Sequence, residues 1–129
     1  MVRKVRKSDA MAYLRQAEEF LGSAQDNLQK GRFNAAGFDA TQSMINANDA
    51  LTIYFLERRA STDHREAMKL HIDVIKTTKD DAQRDALKRS LDMRSEVGYL
   101  GKAVSKKDAG RLVRYAVSFM RWVKKYVKE

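Results

Sequence analysis

The chain has 129 residues with no Pro and no Cys, and 26 Lys and Arg against 17 Asp and Glu leave a formal charge of +9. That length fits one domain with a real core. The missing Cys exclude a disulfide scaffold and thiolate metal sites, and no stretch nears the roughly 18 consecutive apolar residues of a membrane span.

Residues 1–129 read as a single domain, of which residues 1–8 form a basic N-terminal arm with Arg3, Lys4, Arg6 and Lys7. No secretory apolar stretch follows MVRKVRK, so a soluble cytoplasmic protein is expected. A chain this long holds about six prolines at average usage. Without them, long helices joined by short links become the natural organisation. The first helix is predicted from Asp9 to Lys30, with Leu14, Ala17, Leu21, Ala24 and Leu28 on one stripe. Ser8 or Asp9 is its expected cap, and Gly31 suits the left-handed position after its end. The second runs from Phe33 to Arg58 and is apolar over most of its circumference, which places it in the middle of a bundle. Gly37 costs that helix about 1 kcal/mol of propensity relative to Ala, so close packing is expected there.

A short third helix spans His64 to Thr77, with Asp63 and Glu66 at capping-box spacing. Thr77–Asp81 reads as a loop, and the fourth helix follows from Ala82 to Leu100 with Leu87, Leu91, Val97 and Met93 inward. Ser105 and Asp108 signal the start of the fifth, Lys106 to Val127, whose core stripe is Leu112, Ala116, Phe119, Val123 and Tyr126. The expected architecture is all-α, an up-and-down bundle with a four-helix core plus one short helix.

Four stretches in this order and spacing are similar to the HEPN family of small helical domains: AEEFLGSAQDNLQKGRFNAAGFDATQSM, INANDALTIYFLERR, STDHREAMKL and LKRSLDMRSEVGYLGKAVSKKDAGRLVRYAVSFMRWV. The resemblance covers Ala17 to Val127. It implies a helical bundle that pairs as a homodimer and is associated with nucleotides, RNA or nucleotidyltransferase-type partners in toxin–antitoxin pairs. Nucleolytic members carry an Arg, four to six residues, then a His, with two motifs meeting at the dimer cleft. The Arg steadies phosphate charge while the partner group positions the ribose hydroxyl. The matching Arg here is Arg94, and Tyr99, Leu100 and Gly101 stand where the His belongs. The chain therefore resembles the non-nuclease branch, with Arg94 and Tyr99 as a pair lying about 140° apart around the helix axis. Arg59 and Arg58 before His64, and Arg65 before His71, match the spacing elsewhere, as 13 Arg and two His produce by chance.

Several residues carry a bland and a functional reading at once. His64 suits a helix-cap network or a position near a ligand cleft, and His71 suits a satisfied core residue better than a ligand. Asn46, Asn48 and Asp49 are unusual in mid-helix. They read as a paired polar set at a helix contact or as the floor of a nucleotide or RNA cleft, and the family resemblance implies that Asp49 faces Arg94 in a charge-assisted pair. The stripe Arg111, Arg114, Arg121, Lys125 and Lys128 reads as a solvated face or a phosphate-backbone patch. The N-terminal arm would join it if the first and last helices are neighbours. Tyr115 and Trp122 suit core packing or base stacking. Two His without Cys cannot complete a tetrahedral zinc site unaided, so neither a metal nor another cofactor is expected.

Three functions remain open from sequence. The favoured one is a non-catalytic, dimeric module binding nucleotide, RNA or a protein partner through a cleft with Arg94, Tyr99, Asp49 and His64. The second is a divergent ribonuclease using Arg94 with His64 or His71. The third is an antitoxin-like interaction protein that only buries an apolar face.

Overall fold

Gly31 sets the first hairpin: at φ +78 it occupies the left-handed region that glycine enters most cheaply. The computed structural model describes residues 2–60, 63–100 and 102–129, with the side chains of 97–100 outside that description. Helix α1 covers Ala10–Gln29 and α2 Phe33–Leu56, so the link at Gly31 folds them back on each other. Small residues make the approach close: Ala10, Ala17 and Ala24 of α1 and Ala36, Ala40 and Ala47 of α2 are buried. Ser43 Oγ crosses this seam and donates to the Ala17 carbonyl at 2.7 Å.

Helix α3 covers His64–Thr78, α4 Arg84–Leu100 and α5 Lys106–Tyr126. All three pack on α2, which is therefore the central element. Every α2 residue from Asn46 to Ile53 is buried, as its all-round apolar pattern requires. Met44, Leu51 and Ile53 meet a core completed by Leu87 and Leu91 of α4 and Leu112, Phe119 and Val123 of α5. Two predicted caps form. Asp63 Oδ1 accepts the Arg65 N–H at 2.8 Å, and Ser105 Oγ accepts the Asp108 N–H at 3.0 Å. Gly37 is small for a reason: a Cβ there would lie 3.2 Å from Val104 and 3.4 Å from Leu112. The link before α5 crosses at this point, held by the Val104 N–H donating to Asn34 Oδ1 at 2.7 Å.

The structure departs from the sequence expectations at three junctions. Asp9 does not cap α1; it ends a 3₁₀ turn at Lys7–Asp9 and pairs with Arg6 at 3.6 Å. Helix α2 stops at Leu56 because Glu57 turns left-handed, at φ 54, and directs Arg58–Ala60 into strand β2. Strand β1, Val2–Lys4, pairs antiparallel with it in the register Val2↔Ala60, Arg3↔Arg59, Lys4↔Arg58. The arm is thus part of a two-stranded ribbon. Three-residue strands carry no readable periodicity, and their partners are far apart in sequence. Lastly, α4 begins at Arg84, since Asp80 accepts the Ala82 N–H in a turn ahead of it. The same carboxylate accepts from Trp122 Nε1 at 2.8 Å and the Tyr126 hydroxyl at 2.6 Å, fastening the α3–α4 link to the end of α5.

Candidate functional site

Helix α3 buries Ala67, Leu70, His71 and Val74. Its adjacent face, with Met68 and Ile72, is only half covered, because α4 does not close over it. The result is an open groove of about 620 Å³ between α3 and α4, floored by Met68, Ile72 and Leu91. Its rim is charged. Asp73 pairs with Lys76 at 3.2 Å, and Lys88 with Asp92 at 2.9 Å. Lys69 and Arg84 add further positive charge along the walls.

His64 stands at one end of this groove, placed there by the Asp63 cap that starts α3. Its Nδ1 lies 3.3 Å from Ser95 Oγ of α4, a contact across 31 residues. The Ser95 hydroxyl also reaches the Leu91 carbonyl at 3.3 Å. Its single hydrogen can serve only one of these acceptors, so donation to Leu91 leaves His64 Nδ1 as the donor. Burial and then the nearby Arg94 charge hold the His64 pKa below its usual value, against Asp63 and Asp92. The imidazole is therefore neutral at neutral pH. Arg94 itself lies with its guanidinium 5.0 Å from the Phe38 ring and donates to Thr41 Oγ1 at 3.3 Å. The fold thus brings His64, Arg94 and Ser95 together from two helices.

Other predicted site residues go elsewhere. Asp49 is buried eight residues beyond Thr41, about 12 Å along α2, and the charge acting on it is Arg59 rather than Arg94. Burial pushes the Asp49 carboxyl up to about 7, with Arg59 opposing. Asn48 turns the other way: its Nδ2 donates to the Ala67 carbonyl at 3.3 Å, which leaves its Oδ1 facing His71 Nδ1 at 2.9 Å. His71 is fully buried against Phe119 and Trp122, and burial followed by Arg84 pulls its pKa down to about 4. Asn46 accepts from Gln42 on its own helix. The mid-helix polar residues therefore satisfy three separate contacts and do not form one cleft floor.

The Tyr99 side chain lies outside the described residues, as do those of Val97 and Leu100 and the whole of Gly101. On α5, Arg114 and Arg121 are exposed, as is Lys128 just beyond its end; Arg111 is half-buried beside Tyr115 and Met93, and Lys125 approaches Asp80 at 3.7 Å. Helices α1 and α5 are neighbours, bridged by Lys124 and Glu18 at 3.1 Å, yet the basic arm runs along β2. Trp122 is buried and bonded to Asp80, which removes it from base stacking. Among the described residues no group of three or more His, Asp or Glu is placed to hold a metal, and no helix is long and apolar enough to cross a membrane.

A family model described as the HEPN domain matches residues 10–126. The chain belongs to the HEPN family. No curated protein matches it. Within this HEPN bundle, Ser95 and the groove walls Lys69 and Arg84 were not singled out from sequence, and Arg59 was named there only for its spacing to His64, not as a partner of Asp49. The half-covered Met68 and Ile72 face was the available signal for the groove. Ser95 had none, since its contact with His64 depends on how α3 crosses α4.

Proposed function

We propose that this HEPN chain is a non-catalytic nucleotide- or RNA-binding module whose ligand lies in the α3–α4 groove. The observation that carries this is the groove itself: a floor of Met68, Ile72 and Leu91, walls with Lys69 and Arg84, and at one end His64, which Ser95 contacts from α4. Such sites bind by apolar burial plus a few placed polar groups. A fluorescent adenine nucleotide should bind at low salt, and Lys69→Gln/Arg84→Gln should weaken it on the order of fivefold or more through lost charge-assisted contacts. No binding at low salt removes the ligand from this reading. HEPN domains often dimerise, so the module is expected to work as a homodimer. A monomer mass in sedimentation at micromolar concentration would remove that part. A nucleotidyltransferase-type protein is its proposed partner, tested by co-expression with a neighbouring gene product.

A second reading is supported by one contact. His64 sits beside Ser95 at one end of the groove, and the Arg94 guanidinium, packed on Phe38 and Thr41 outside the groove lining, acts on it through its charge. That pairing suits ribonuclease chemistry, with His64 accepting the ribose hydroxyl proton and Arg94 steadying the phosphate. His71, buried and bonded to Asn48, does not suit that role. Purified protein that leaves RNA intact, or cleavage that survives His64→Ala, sinks this reading.

A further inference from the structure

At the C-terminal end of α2 the chain does something energetically unfavourable. The β1–β2 register sets Arg3 opposite Arg59 and Lys4 opposite Arg58. Like charges directly opposite each other destabilise a strand pair, and a two-stranded ribbon is marginal even without them. Arg6 and Lys7 extend the charge, so residues 2–9 and 57–65 carry seven basic side chains against three acidic ones.

Some of this charge is held in place. Arg59 lies 5.3 Å from the Tyr13 ring centroid, with Asp49 acting on it from the core, and Lys7 sits 4.3 Å over Tyr54. The rest is presented outward. Arg3, Lys4 and Arg58 are exposed and make no ion pair among the described residues. Lys4, Arg6 and Arg58 border a surface concavity of about 420 Å³ that has one acidic residue, Glu57. Strand β2 also packs against α3, so the charged ribbon adjoins the helix that walls the groove.

We propose that the β1–β2 ribbon is a docking track for the phosphate backbone of a nucleic-acid strand, whose charge offsets the repulsion between the paired basic residues. The chemistry of the ribbon favours this occupant over a protein or a membrane. Protein interfaces need a desolvated apolar centre, and membrane-seated segments need apolar side chains to insert. The ribbon offers Val2 alone as an exposed large apolar side chain. A polyphosphate needs closely spaced cations and no apolar anchor, and ribbons of this kind are narrow enough to lie in a nucleic-acid groove. The inference stands apart from the groove, because a mononucleotide bound between α3 and α4 need not touch the ribbon.

The test is binding of the full chain to a labelled single-stranded RNA of about 20 nucleotides, to a DNA duplex of equal length and to anionic phospholipid vesicles, across a salt series. The two nucleic acids separate a single-strand track from a duplex one. Lys4→Gln/Arg58→Gln should weaken nucleic-acid binding about tenfold at low salt and flatten the log–log salt slope by about 1.4 for RNA, two lost contacts at roughly 0.7 each. The same variant should unfold at an equal or higher temperature at low salt, because one repulsive pair is gone. A merely structural role for the ribbon would not give that combination. Arg114→Gln/Arg121→Gln on α5 should retain the wild-type slope. The proposal is overturned by wild-type protein that binds neither nucleic acid, by a ribbon variant with unchanged affinity and slope, or by binding to vesicles alone. Groove binding is read separately: the ribbon variant should keep its affinity for the fluorescent mononucleotide, and Lys69→Gln/Arg84→Gln should not.

Discussion

Two buried titratable residues pull the stability of this protein in opposite directions with pH. His71 is neutral in the fold and titrates near 4, against an ordinary value of 6.5. Between these values the unfolded chain binds more protons, so this residue alone makes stability rise with pH, by up to about 1.4 kcal/mol per pH unit. Asp49 titrates near 7 against 3.8. There the folded chain binds more protons, and stability falls as pH rises through that window. From about pH 4 to 6.5 the two slopes cancel. Asp49→Asn should therefore unmask a stability that increases from pH 4 to 6.5, and His71→Leu one that decreases, both read from denaturant midpoints against pH. Parallel slopes in the two variants would contradict the assignment. The oddity of Asn48 and Asp49 in a helix was legible in the sequence. Their partners were not, because His71 is 23 residues from Asn48 and only the α2–α3 packing joins them.

At the level of elements, the core stripes were the most legible part of the chain. Leu51 is fully buried on α2, and Leu51→Ala should cost on the order of 2–5 kcal/mol in equilibrium unfolding. Gly37 was expected to mark close packing, and the contacts with Val104 and Leu112 give the reason. Gly37→Val should overpack this crossing and cost about 1–3 kcal/mol, despite removing a poor helix former. Caps at Asp63 and Ser105 were readable because the signal is local. The α3–α4 link was less so. Asp80 is held to about 2 by the Tyr126 hydroxyl first, then Trp122, the Ala82 N–H and Lys125, against partial burial. Asp80→Ala should loosen the link, lower stability on the order of 1–3 kcal/mol and red-shift the emission of the single Trp, Trp122. Its contribution is lost as acid takes the pH down from the ordinary carboxylate value through about 2.

For the molecule as a whole, the sequence by itself determined a helical bundle with α2 at its centre. Helical periodicity repeats within one element, and an all-round apolar stripe has only one place to go. It also located the HEPN resemblance and the Tyr in place of the motif His. The tertiary structure decided everything that depends on two segments meeting. It turned a basic arm and the end of a predicted helix into the β1–β2 ribbon, set Asp49 against Arg59 and left a groove beside α3. It also placed His64 beside Ser95, in reach of the Arg94 charge. The physical reason is the same in each case. Pairing between distant residues is fixed by how helices cross and where a chain reverses, as at Glu57, and neither leaves a period in the sequence.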